Sequence, residues 1–137
     1  TQKKKRIRGF PGVVKGQLEP LNSNDYFKKK FKNDQFKILL NPNDGKLAAI
    51  VIVDNGSVDV DMIKNEPREN IKKKKLSWKG KLETSTPMFL NIAMGKLSKG
   101  GIIKMVLLRK IKLRGIRNLL KLLKMFDILS GIPEFII

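Results

Sequence analysis

The chain has 137 residues, 41% of them hydrophobic, which suits one domain with a modest core. Its 30 Lys and Arg outnumber 12 Asp and Glu, and the formal charge of +18 implies an anionic partner: nucleic acid, acidic phospholipid or a phosphorylated small molecule. With no His and no Cys, thiol nucleophiles, disulfides, imidazole bases and the common zinc ligand sets are excluded.

Lys3 to Arg8 is a basic run broken by one Ile, followed by Gly9, Phe10, Pro11, Gly12 and Gly16. Glycines and a proline at that density suit an extended arm. Residues 1–20 therefore read as a basic, flexible segment able to tether phosphates, and residues 21–137 as a single α/β domain. The opening Thr1-Gln2-Lys3-Lys4-Lys5-Arg6 leads into no apolar stretch of the secretory kind, and a cytoplasmic protein is expected. Ser23 or Asn24 can then cap a short helix with Asp25 in its first turn. Tyr26, Phe27 and Phe31 share one side of it, and Lys28, Lys29, Lys30 and Lys32 turn outward.

A sheet follows. Phe36 to Leu40 is a strand candidate, and Asn41-Pro42-Asn43-Asp44-Gly45 has the residues of a tight reversal. Leu47 to Val53 is an uninterrupted apolar run, as in a strand covered on both faces. Asn55-Gly56 is the strongest short hairpin signal, because a type I′ turn needs positive φ at both central residues. Val58, Val60 and Met62 alternate with Ser57, Asp59 and Asp61, so the third strand has a dry and a wet face and completes an antiparallel meander. Lys64 to Ile71, with Pro67, reads as a loop. After the block Lys72 to Lys75, the alternation of Leu76, Trp78 and Leu82 with Ser77, Lys79 and Lys81 predicts a fourth strand. At Ser85-Thr86-Pro87 the pattern turns helical, with Phe89, Ile92 and Ala93 on one face and Gly95 as the stop.

Gly95 to Met125 carries three signals in succession. Ile102, Ile103, Met105, Val106, Leu107 and Leu108 form an apolar segment far short of the roughly 18 residues needed to cross a bilayer, so a short buried helix is expected. Arg109 to Arg114 alternates, with Ile111 and Leu113 on one face and Lys110, Lys112 and Arg114 on the other: a fifth strand. From Ile116 to Leu129 the period is helical. Ile116, Leu119, Leu122, Leu123, Phe126 and Leu129 lie on one side, and Arg117, Asn118, Lys121 and Lys124 on the other. Phe135, Ile136 and Ile137 end the chain on apolar residues.

Catalytic chemistry is hard to place. Asp59 and Asp61, the closest acid pair, sit on the wet face of a strand with nothing to bury one and raise its pKa. Asn43-Asp44-Gly45 lacks the carboxylate spacing of a calcium loop, and Gly95, Gly100 and Gly101 do not make a phosphate-cradling loop. Neither enzymatic activity nor a cofactor is expected.

Two motifs in this order carry a resemblance. Gly95-Lys96-Leu97, followed by a short helix, and Lys110-Ile111-Lys112-Leu113-Arg114-Gly115, followed by a Leu-rich helix, are similar to the Gly-Lys-Leu and Lys-Leu-Lys-Ile-x-Gly segments of the sterol carrier protein family of non-specific lipid-transfer proteins. The similarity runs from Phe36 to about Asp127. The stretch between the motifs is slightly longer here, around Lys99-Gly100-Gly101, and Arg109 stands where the family usually has Gly.

The resemblance implies an α+β fold, a five-stranded mostly antiparallel sheet with helices packed on one face, enclosing an apolar tunnel for a fatty acid, acyl-CoA or sterol-like lipid. Trp78, Phe89, Ile92, Met94, Ile102, Met105, Val106, Ile111, Leu113, Leu119 and Leu123 are the residues that could line it, with Lys96, Lys110, Lys112 and Arg114 at an anionic head group. The same apolar residues would equally well fill a closed core, each contributing about 1.5–3 kcal/mol by burial. Two other partners fit the charge. One is nucleic acid, held by the N-terminal arm, the Lys28–Lys32 cluster and the last strand, with Phe10, Tyr26 and Trp78 for stacking. The other is an anionic membrane surface under the helix from Ile116 to Leu129, in transient contact.

Overall fold

A computed structural model describes residues 7–94, 96 and 99–129, with only the backbone of Lys99. The basic run up to Arg6, Gly95 and Leu97 of the first motif, and the apolar end at Phe135–Ile137 lie outside the described residues. The elements in chain order are α1 (Gly9–Leu18), α2 (Asp25–Lys30), β1 (Gln35–Pro42), β2 (Leu47–Asp54), β3 (Ser57–Lys64), α3 (Lys73–Leu76), β4 (Gly80–Thr84), α4 (Thr86–Ala93), α5 (Lys99–Leu107), β5 (Lys112–Arg114) and α6 (Ile116–Leu129). The fold is α+β. Its five strands run in the order β3-β2-β1-β4-β5, antiparallel except for the parallel β1–β4 pair.

The meander follows from local chemistry. Asn55 and Gly56 have φ of 49° and 85°, the pair of positive values that a type I′ turn requires. β2 is apolar along its whole length because both of its faces are covered. Ala49, Val51 and Val53 join the main core under the helices, and Ala48 and Ile50 join a second cluster with Leu39, Ile71 and Trp78 on the opposite face. That second face is covered by the crossover from β3 to β4, a 3-10 turn (Arg68–Ile71) followed by α3. Trp78 Nε1 donates to the Ile71 carbonyl at 2.9 Å, pinning the crossover to itself.

Two expectations change at this level. Where alternation suggested a strand through Leu76 and Trp78, Lys73–Leu76 is a single helical turn ended by Ser77 at φ 58°, and β4 starts only at Gly80. Three consecutive lysines solvate better on an exposed turn than in a central strand. Within the expected arm, Gly9–Leu18 is a helix. Pro11, Val14 and Leu18 recur at helical spacing and are buried, so the apolar stripe outweighs the cost of Gly12 and Gly16. Lys15 Nζ meets Asp59 Oδ1 at 2.8 Å, and this bond raises the Lys15 pKa against the opposing effect of burial.

Edge strand β3 is closed by side chains. Asn22 donates to the Val58 carbonyl (2.9 Å) and accepts from the Val58 amide (2.8 Å), while the amides of Val60 and Met62 donate to Asp59 and Asp61 at 2.8 Å. The acids on the wet face thus occupy an edge that would otherwise invite pairing. Asn24, the N-cap of α2, accepts from the Phe27 amide at 2.9 Å. Phe27 and Phe31 are fully buried in the main core, whereas Tyr26 turns outward.

At the other edge, α5 ends in a Schellman turn: the Arg109 amide donates to Val106 and the Lys110 amide to Met105. Arg109 takes φ 60°, the left-handed conformation that glycine adopts most easily. Gly115 (φ 71°) then turns the chain from β5 into α6, with the backbone of Lys79 and Gly80 packed where a Cβ would be. Gly115→Ala is expected to lower stability by about 1–3 kcal/mol from the backbone conformation alone, with the clash adding to it. Urea unfolding would show it as a lower midpoint, and Gly16→Ala, which meets open space, is the stabilising control.

Candidate ligand-binding site

The helix face of the sheet is unevenly filled. Beneath α1 and α4, Phe10 and Phe89 pack with ring centroids 5.0 Å apart, and the space left among their neighbours is only about 10 Å³. Between α4, α5, α6 and the β4–β5 edge lies a cavity of about 190 Å³. Its walls are Leu82 of β4, Leu113 of β5, Ile92 of α4, Ile102, Ile103, Val106 and Leu107 of α5, and Ile116, Leu119, Leu120, Leu122 and Leu123 of α6. Every lining residue among those described is aliphatic. Its floor is dry, with Leu122 and Leu82 2% and 6% exposed, while the rim is open, with Leu107 at 77% and Ile103, Ile116 and Leu120 each above half.

The residues expected to line a tunnel fall into separate places. Ile92, Ile102, Val106, Leu113, Leu119 and Leu123 meet around this cavity. Phe89 belongs to the filled region next to it, Ile111 is fully buried in the main core, and Met105 packs half-buried against that core. Met94 is exposed, and Trp78 lies on the opposite face of the sheet. Periodicity does not single out Ile103, Leu107 and Leu120, because they sit beyond the stripe that faces the core. The signal available for α5 is its apolar run over consecutive positions, which one buried face cannot use. Leu82, Ile116 and Leu122 read from the sequence as packing residues alone.

The cations divide in the same way. Strand alternation places Leu113 on the helix face, so Lys112 and Arg114 point to the other. Lys112 is registered opposite Glu83 and Arg114 opposite Lys81. Lys110 and Lys112, with Arg68, Arg109, Asn41, Asn43 and Asn65, line a polar cleft of about 360 Å³. Arg114 and Lys96 are exposed.

At the floor of this cleft Glu83 is buried. Its carboxylate accepts from Asn41 Nδ2 (2.7 Å), pairs with Lys81 Nζ (3.0 Å) and meets Arg68 Nη2 at 3.2 Å. Burial pushes this carboxyl up, and the Asn41 bond, Lys81 and Arg68 together outweigh it, so its pKa lies below the ordinary 4.5. Asn65 Nδ2 bonds Asn41 Oδ1 at 2.9 Å and so orients the amide that holds Glu83. Glu83 and its partners form a polar anchor between β1, β4 and the crossover, and cations stay in excess around the cleft, with Arg68, Arg109, Lys110 and Lys112 against Glu66 and Glu83. Across it, Asp44 accepts from the backbone and hydroxyl of Thr86, which lowers its pKa and ties the β1–β2 turn to the start of α4.

Solved structures share the fold. A UbiJ-SCP2 ubiquinone synthesis protein is similar over 93% of this chain and 99% of its own, with a TM-score of 0.58 and 10% identity. Sterol carrier protein 2 matches over 88% and 95%, with a TM-score of 0.57 and 12% identity. The fold is that of sterol carrier protein 2. A conserved hypothetical protein of Thermus thermophilus, itself likened to sterol carrier protein, has it too, with a TM-score of 0.55 and 11% identity over 94% of this chain and 92% of its own. So does a segment of the inverting sec-alkylsulfatase Pisa1 of a Pseudomonas species, matched over 73% of this chain but 14% of that one (TM-score 0.52, 19% identity). No family model and no curated sequence matches the chain. Among the described residues, no helix is long and apolar enough to cross a membrane.

The depressed pKa of Glu83 makes a pH prediction. A carboxylate whose folded pKa is lowered contributes stability that is present above its unfolded value and is lost as pH falls through the folded one. The wild type should therefore lose stability below about pH 4.5. Glu83→Gln should be less stable at neutral pH by about 1–3 kcal/mol and should show a flatter profile in that acid window, measured by urea titration at a series of pH values.

Proposed function

We propose that this protein binds and carries an apolar ligand, and that the cavity between α5, α6 and the β4–β5 edge holds its hydrocarbon part. The observation that supports this most directly is the cavity itself: about 190 Å³, its described lining all aliphatic, and open at a greasy rim, whereas the larger opening of about 370 Å³ between α1, α4 and the β1–β2 turn also takes in Lys46 and Thr86. An apolar cavity of about 150 Å³ is enough to take benzene. The space thus suits a segment of an acyl chain, with the rest of a longer chain leaving through the open rim. The neighbours named for sterol carrier protein and for ubiquinone synthesis suggest apolar, lipid-like guests.

A ligand head group at this rim would meet Lys104 of α5 and Arg117 of α6, since Lys112 and Arg114 point away from the cavity. The preferred guest is accordingly a fatty acid or fatty acyl derivative with its charged end in solvent. No catalytic residue is proposed.

Titration with a fluorescent fatty acid, followed through the probe's own emission, should saturate at micromolar ligand. Val106→Phe, which fills the cavity from a half-buried position, should weaken binding by at least about tenfold, or 1.4 kcal/mol. Trp78→Phe, on the far face of the sheet, should leave affinity unchanged. The carrier proposal fails if the wild type shows no saturable binding, or if Val106→Phe binds as well as the wild type.

A further inference from the structure

We infer that the α5–α6 rim is a docking surface for an anionic lipid bilayer, so that the cavity opens directly onto the membrane. This deepens the carrier reading and takes its purpose from it, but it stands on separate observations. Leu107, Ile103, Ile116, Leu108 and Leu120 are 77%, 59%, 58%, 54% and 51% exposed. They account for five of the eight large hydrophobics exposed on the described surface. Four of them line the cavity mouth and Leu108 follows Leu107 directly, so the patch is continuous with the interior. Soluble surfaces seldom leave such a cluster uncovered without a use for it.

The charge around the patch selects the partner. From Thr84 to Phe126 the sequence has Lys or Arg at ten positions and no Asp or Glu. On the helices that carry the rim, Lys104 follows Ile103, and Arg117 follows Ile116; both cations are exposed. Helical geometry sets Lys104 beside Leu107 and Arg117 beside Leu120 on the outward sides of α5 and α6. The result is an aliphatic centre with a cationic surround, which matches the interfacial region of an acidic bilayer: apolar side chains enter the acyl boundary while Lys and Arg stay among the phosphates. A nucleic acid fits this surface less well, because the exposed apolar residues are aliphatic and offer its bases no ring to stack on. A protein groove would need carboxylates around an apolar pocket, whereas a bilayer supplies both chemistries over any area.

Docking in this orientation would let a hydrocarbon chain pass between bilayer and cavity without crossing water. The same contact offers an apolar medium to the exposed Leu107 and Leu120 side chains at the cavity mouth.

The test is co-sedimentation of the full chain with phosphatidylcholine vesicles made with and without phosphatidylglycerol, alongside the fatty acid titration. Binding is expected only with phosphatidylglycerol. Lys104→Glu/Arg117→Glu should reduce it by at least about tenfold, and Leu107→Ser/Leu108→Ser, which leaves the charge unchanged, should also reduce it. Lys73→Glu/Lys74→Glu, the same charge change on α3 across the sheet, should reduce it far less. Thermal melts of each variant establish that it is folded. Equal losses from the two charge-reversal pairs, or full binding by the Leu pair, would overturn the inference in favour of diffuse charge attraction. So would tighter, similarly localised binding to a single-stranded RNA oligomer than to vesicles. Vesicle binding through this face without fatty acid binding would remove the carrier reading and leave the docking surface standing; saturable fatty acid binding without vesicle binding would do the reverse.

Discussion

The arrangement of the functional end depends on how little sheet lies under two apolar helices. β5 is three residues long, and strand alternation lets it send one side chain, Leu113, toward the helices. Its neighbour β4 adds Leu82. Above these two, α5 and α6 bring apolar residues on more than one side. Here the supply of partners runs out first, and the unmatched surface becomes a hollow with an uncovered rim. At the opposite end of the same sheet, β1, β2 and β3 are each eight residues long, and the core beneath α1 and α2 is full.

That difference also divides the two faces of the sheet by chemistry. The crossover from β3 to β4 seals one face with Ile71 and Trp78, then leaves a polar corner where Asn41, Asn65, Lys81 and Arg68 gather around Glu83. The corner gives Glu83 its partners from within the fold and links Asn41 of β1 to Glu83 of β4 across the parallel pair. The hollow on the helix face has no polar lining residue among those described. An apolar guest and a polar anchor thus occupy separate faces and need not compete.

Much of the fold was legible because it is written in short-range rules. The Asn55-Gly56 turn, the two-sided burial of β2, the alternation of β3, the Ser85 cap of α4 and the full extent of α6 each follow from neighbours within a few residues. What was hidden depended on distant partners. α1 contains three glycines and a proline and becomes a helix because β2 and β3 offer its Val14 and Leu18 a place to go. Trp78 alternates correctly with Leu82 yet faces away from it, because Ser77 breaks the strand before β4 starts. Lys112 and Arg114 flank a cavity residue in sequence and are on the other face in space, which the alternation itself stated. Among the rim residues, Ile103 and Leu107 belong to an apolar run that reads as a buried helix turn and are exposed instead, because one helix face alone meets the core, and Leu120 lies off the periodic stripe of α6.

The margin formed by β3 has a bearing on how copies of this chain meet. The amides of Val58, Val60 and Met62 are already engaged by Asn22, Asp59 and Asp61, so a strand from another molecule finds those three donors occupied and two carboxylates in its path. A growing ribbon of sheets is thereby discouraged at its most exposed starting point. For a polypeptide that keeps a greasy opening on its helical side, this makes the β3 margin a poorer place for two copies to meet than the opening.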